Sequence, residues 1–275
     1  MAYKHGVYTS EVETSLTAPI VGTAGLQVIV GTAPVNMLKD PAAAVNVPLL
    51  VNNYKEAVEA VGYNDDFEAY TLCECISAAF SVVGVAPMVL INVLDPAKHK
   101  ADISEKTMQV NDGVAVLDEV GVLLEGLTIK ADATPLEAGK DYTTTWNNDG
   151  TLNIVLLKGG AGEKATTLTA TGSKIDPSKV KAADIVGGVD ISSGKETGLE
   201  VVRQVYPKLS MTPGILLAPR FSADATVSAA LQAKTKSINS VFGAVCIVDI
   251  NSKTDGAVTV SYTHLRAHET LSDLV

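Results

Sequence analysis

Aromatic side chains are scarce in this chain: Phe, Tyr and Trp make up 5% of its 275 residues, with a single Trp. Proteins that stack unpaired nucleic-acid bases draw on such rings, so their scarcity speaks against single-strand recognition. Positive charge is also short. Twenty-one Lys and Arg face thirty-one Asp and Glu, for a formal net charge of −10. No cluster of Lys and Arg supplies the phosphate footprint that nucleic-acid binding requires. Long apolar runs are missing too. The longest, Val82 to Ile91, is broken by Gly84 and Pro87 and falls well short of the ~20 residues that span a bilayer. It reads as a helix end followed by a buried strand. Met1 to Leu16 is polar and carries Glu11 and Glu13, so it lacks the apolar stretch of a secretory signal. The expectation is a chain that stays in the cytoplasm until it is assembled. Three cysteines are present. Cys73 and Cys75 stand two apart on a predicted helix and point to different faces, which excludes a redox or metal pair; with Cys246 they read as small buried hydrophobes.

What is there is ordinary for a globular protein: 47% apolar and 19% charged residues. At this length two compact units are expected. Residues 1–20 (MAYKHGVYTSEVETSLTAPI) show some alternation but no helical period, and Pro19 closes them off; they read as an extended arm. Leu26 to Pro34 is a Val- and Ile-rich run bounded by glycines, as a buried strand should be. Asn53 to Val61 reads as a helix stopped by Gly62, Phe67 to Val83 as a second stopped by Gly84, and Met88 to Leu94 as another buried strand. Strand, helices and strand are the grammar of a parallel α/β unit.

From about Thr107 to Ile175 the apolar spacing drops toward two and turn residues multiply. The clearest piece is Asp141 to Leu157, where Asn147, Asn148, Asp149 and Gly150 separate two β-rich runs, a strong hairpin signal. Leu123 to Lys130 and Ala165 to Thr171 add strands. The α/β grammar returns with a helix at Gly198 to Tyr206, a strand at Gly214 to Ala218, a helix at Ala223 to Lys236 opened by Ser222, and a strand at Ala244 to Ile250. The fold class expected is therefore α/β, interrupted by a β-sandwich-like insertion. Residues 21–100 and 183–259 form the α/β unit, and 101–182 form the insertion.

Nucleophilic catalysis needs a base held beside a Ser or Cys, and only four histidines are available. His5 lies in the arm. His99, between Lys98 and Lys100, reads as part of a solvated loop. His264 and His268 stand four apart with Glu269 adjacent, a spacing that zinc sites use, but the order is wrong for the metalloprotease helix. Moreover, the stretch VSYTHLRAHET, Val260 to Thr270, resembles the translation of an adapter used in sequencing libraries. The natural frame is then expected to stop near Thr259, with residues 260–275 a non-native tail. Lys158 to Lys164 (KGGAGEK) lacks the Gly-Lys-Ser/Thr ending of a phosphate-binding loop and reads as a turn. The acidic turns at Asp65 and Asp66, Asp112 and Asp149 lack the spacing of a calcium loop. No catalytic residue, metal site or cofactor is assigned.

The opening MAYKHGVYTSEVETS resembles the start of phage contractile tail sheath proteins, as does the following APIVGTAGLQVIVGTAP. Thr197 to Leu231 (TGLEVVRQVYPKLSMTPGILLAPRFSADATVSAAL) is similar to the same family, and the order of these segments along the chain is what makes the match specific. It is closest to sheaths of Firmicute prophages and phage-tail-like particles. The resemblance implies a main domain of subtilisin-like topology, a β-sandwich insertion, and a C-terminal domain, the last expected to be missing here beyond about Ile250. It also implies a non-enzymatic subunit of the virion that polymerises helically around a tail tube and contracts. The partners implied are other copies of the chain, the tube and baseplate proteins, with no nucleic acid and no membrane insertion. The arm, with Tyr3, Val7, Tyr8, Val12 and Leu16, is expected to exchange β-segments with a neighbouring subunit. The alternative reading is an α/β hydrolase-like enzyme whose site is not evident in the residues.

Overall fold

The computed structural model describes residues 25–250. The chain opens on strand β1 (Gln27–Gly31), followed by β2 (Leu49–Val51), helices α1 (Tyr54–Val61) and α2 (Thr71–Ile76), and β3 (Met88–Asn92). Seven strands follow in one uninterrupted stretch. They are β4 (Lys100–Asn111), β5 (Val114–Leu117), β6 (Thr128–Ala131), β7 (Thr134–Leu136), β8 (Tyr142–Trp146), β9 (Leu152–Leu156) and β10 (Thr167–Ile175). After helix α3 (Ala182–Val186) come the short strands β11 (Gly188–Val189) and β12 (Glu196–Thr197). The described chain ends with α4 (Val205–Leu209), β13 (Ile215–Leu217), α5 (Ala225–Lys236) and β14 (Val245–Ile247).

Five strands from the two ends make one sheet in the order β14-β13-β1-β3-β2. All its pairings are parallel except β2 with β3. Parallel strands buried on both faces lose the alternation of half-buried ones, and β1 (QVIVG) and β3 (MVLIN) accordingly carry unbroken apolar runs, Val28–Val30 and Met88–Ile91, with polar residues only at Gln27 and Asn92, and are almost wholly buried. Val28, Val30, Val89, Ile91 and Leu216 face a core shared with Val201, Val202, Val227 and Leu231. Ile29, Met88 and Leu90 face the opposite core, under Ala57, Val61, Leu72 and Ile76.

The sheet is not covered equally on this second face. One row across it runs Leu90, Ile29, Leu217, Ile247. Exposure climbs along that row from 0% at Leu90 and 1% at Ile29 to 56% at Ile247. Helices α1 and α2 and the π-helical turn Ser77–Val83 cover the β1–β3 half, and Val245 and Ile247 lie beyond them.

The other seven strands form an antiparallel sheet in the order β7-β6-β10-β4-β5-β9-β8. The long β4 pairs with β10 along most of its length and with β5 at its end, with a bulge opposite Ala170 and Gly172. The sheet curls around a single core that includes Ile103, Met108, Leu117, Ile129, Leu152, Ile154 and Leu168. Its β8–β9 hairpin, Trp146 opposite Leu152, docks on the α/β unit through its turn. Asn64 Nδ2 donates to the Asp149 carbonyl at 3.0 Å. Gly150 sits there at φ +86°, and a Cβ on it would meet Asn64 Nδ2 at 2.5 Å. Leu123, Ile175 and Val180 join the α/β core, so apolar packing also crosses the junction.

Several helix boundaries differ from those the sequence predicts. The helix expected from Phe67 starts at Thr71, because Asn64 Oδ1 accepts from the Asp66 N–H and Asp66 Oδ1 from the Ala69 N–H, holding the preceding residues in turns. The helix expected over Gly198 to Tyr206 is 3-10 from Gly198 to Gln204 before α4 begins. Pro207 has no N–H to continue an α-helical ladder across that boundary. Helix α5 is capped by Asp224, whose Oδ1 accepts from the Thr226 N–H at 2.7 Å, and not by Ser222.

Candidate functional site

Residues with the chemistry of a catalytic centre are present, and the structure assigns them to other tasks. His99 is 3% exposed, not solvated as its lysine neighbours suggest. The chain turns back at Asp95, and the Asp95 N–H donates to His99 Nδ1 at 3.0 Å, which fixes the imidazole tautomer with its proton on Nε2. That nitrogen faces Asp184 Oδ2 at 3.5 Å, while the other Asp184 oxygen is paired with Lys98 and its Oδ2 accepts from the Lys181 N–H. The cluster pins the strand leading into β4 to the start of α3. It borders a cavity of about 360 Å³ shared with Asn46, Asp190 and Thr197. Among the described residues no Ser, Cys or Thr is hydrogen-bonded to His99.

Ser222 does have an acidic partner. Its Oγ donates to Asp249 Oδ2 at 2.6 Å, and the Asp249 N–H returns a bond to Oγ at 2.8 Å. With the Arg220 N–H donating to the same carboxylate at 2.7 Å, the pair ties the loop after β13 to the chain after β14. No imidazole is part of this arrangement. Cys73 is buried, while Cys75 and Cys246 are partly so, which is less burial than the sequence suggests for the last two. Burial pushes the Cys73 and Cys75 thiols up to about 12, so neither is a thiolate nucleophile near neutral pH. Among the described residues no group of three or more His, Cys, Asp and Glu stands close enough to hold a metal ion.

What the described residues present instead is surface suited to contact with other chains. Strand β14 is an edge strand, and Val245 and Ile247 on it are 65% and 56% exposed. Val82 and Val83 are exposed at the end of the π-helical turn. The β11–β12 hairpin carries Ile191 at its tip. The five arm residues Tyr3, Val7, Tyr8, Val12 and Leu16 lie outside the described residues, as do His264, His268 and the adapter-like tail. The hairpin was not picked out in the sequence. Its two strands are two residues each, too short to show a period, and the only available signal was the Asp190-Ile191-Ser192-Ser193-Gly194 turn composition.

No protein-family model matches the chain. A comparison with curated proteins does find a relative: the tail sheath protein of Burkholderia phage BcepMu is 25% identical over an alignment 291 positions long, gaps included. The chain is similar to a phage tail sheath protein. The alignment takes in 98% of this chain, so the likeness spans the α/β unit and the β unit alike. The chain spans 58% of the length of that sheath relative.

Proposed function

We propose that the chain is a structural subunit of a contractile tail sheath. In this reading copies polymerise helically around a tail tube, and the lattice shortens to drive the tube through a target cell envelope. The observation that carries the proposal is the similarity to the BcepMu tail sheath protein along 98% of the chain. The use made of His99 and Ser222 supports it, since both side chains are engaged in hydrogen bonds that hold the fold.

The physics of such a lattice is modest per contact. Head-to-tail contacts that do not close into a point group generate helical arrays, and a strand added to a sheet edge contributes about 1 kcal/mol net per backbone hydrogen bond. Many such links hold an assembly while each can be exchanged during contraction. The arm is the proposed donor of that strand. The α/β unit supplies the domain surfaces that repack when the lattice shortens, and a subtilisin-like topology for it is part of the same proposal, as a likeness of fold without protease chemistry.

The test is removal of Met1 to Leu16 from the full-length gene product. Folded particles that no longer form tubes in electron micrographs are expected. Unaltered tubes would remove the arm from the account. A broad hydrolase screen on the same protein addresses the enzyme alternative, and turnover of any substrate at ordinary enzymatic rates would favour it.

A further inference from the structure

Ile191 presents its whole side chain at the tip of the β11–β12 hairpin, 99% exposed. The loop beneath it is tightly organised. Ser192 donates to Asp190 Oδ1 through both its N–H (2.8 Å) and its Oγ (2.6 Å), and Ser193 Oγ donates to Asp190 Oδ2 at 2.8 Å. The Gly194 N–H donates to the Asp190 carbonyl at 2.7 Å, the Asp190 N–H donates to the Lys195 carbonyl at 2.9 Å, and Gly194 takes φ +68° to close the turn. The tip is therefore set before it meets anything, so docking it costs little conformational entropy.

A receptor for such a knob lies elsewhere on the same molecule. A groove of about 680 Å³ has Pro177, Val180 and Phe221 among its walls and Asp66, Glu68 and Asp176 on its margins. Arg220 on the same margin has its Nε turned toward Glu74 at 3.3 Å. The groove thus offers an apolar floor with acid around it. The hairpin offers Ile191 with the exposed Lys195 four residues on. Apolar and charged features match in kind and in sign.

We infer that the Ile191 hairpin of one copy seats in the Val180–Phe221 groove of a second copy, with Lys195 facing the Asp66 and Glu68 carboxylates. Knob and groove are different patches, so the contact is heterologous; unless its rotation closes a ring, it propagates as a helix. The inference rests on the self-assembling reading above and names one of its interfaces.

The experiment is sedimentation of the full chain over a concentration series, as wild type, Ile191→Asp and Lys195→Glu. Because no described residue packs over Ile191, Ile191→Asp leaves the thermal midpoint unchanged while raising the concentration needed for association at least about tenfold. Lys195→Glu weakens association, and mixing it with Glu68→Lys restores part of it, because the swapped charges meet across the interface. Association that is the same in Ile191→Asp as in wild type overturns this inference and leaves the sheath reading standing. A wild-type chain that stays monomeric throughout overturns both.

Discussion

The antiparallel unit and the parallel sheet solve the problem of burying apolar surface in opposite ways. Strands β4 to β10 come from one continuous stretch, 100–175, and curl around a single core of their own. The five-stranded sheet is collected from both ends of the described chain, has a core on each face, and at the β14 end of one face has no cover among the described residues. The first arrangement fills its core from neighbours in sequence. The second depends on distant segments meeting and, among the described residues, leaves Val245 and Ile247 turned outward.

The sharpest way to separate the two is to damage one core and watch both. Leu90→Ala removes a fully buried side chain from the centre of the parallel sheet and should cost about 2–5 kcal/mol. The lone Trp, Trp146, lies on β8 in the antiparallel unit. Denaturation followed by far-UV dichroism should therefore shift further than denaturation followed by Trp146 fluorescence. Equal shifts would mean that the two units unfold as one.

The junction should respond less. Gly150→Ala places a Cβ at positive φ against Asn64 Nδ2, for an expected loss of about 1–3 kcal/mol. Part of that cost should vanish when Asn64→Ala is already present, since the clash is with that side chain. Fully additive losses would show that the hairpin turn is not held by this contact.

A smaller, pH-dependent effect is expected inside the antiparallel unit. Glu119 bridges Lys106 at 2.8 Å and Lys174 at 2.6 Å. Bonds from Lys106 and then Lys174 hold its carboxyl below the usual Glu range despite partial burial. A carboxyl depressed in the folded state stabilises above its unfolded pKa of ~4.3. The contribution is lost as pH falls through the lower folded value. Wild type should therefore lose its advantage over Glu119→Gln on acidification from about pH 5, and a stability difference unchanged down to pH 2 would contradict the assignment. Least of all should come from the bare edge. Val245→Lys and Ile247→Lys are expected to stay within about 0.5 kcal/mol, and a thermal midpoint lowered by many degrees would show that this face is packed.

Legibility in the sequence followed the same division. β1 and β3 stood out because burial on both faces leaves runs such as Val28-Ile29-Val30 and Val89-Leu90-Ile91 unbroken by polar residues. The β8–β9 hairpin stood out because Asn147 to Gly150 carry the chemistry of its turn. The longest strand, β4, was not legible as a strand, because only Ile103 and Met108 of its twelve residues are buried, so almost no alternation reaches the sequence. His99 misled for a related reason: Lys98 and Lys100 advertise solvent, and the buried hydrogen bond from Asp95 depends on a turn that composition does not reveal. The candidate contact surfaces were least legible. An exposed Ile191 or Ile247 looks in sequence like any core residue, and only the packed structure shows that nothing among the described residues covers it.

The central claim, that copies of this protein join into a tube-like lattice, is tested most directly by electron microscopy of the purified full-length gene product. Helical particles of constant diameter, in extended or shortened form, are the predicted result. A protein that remains single at every concentration and processes a small molecule instead would contradict it.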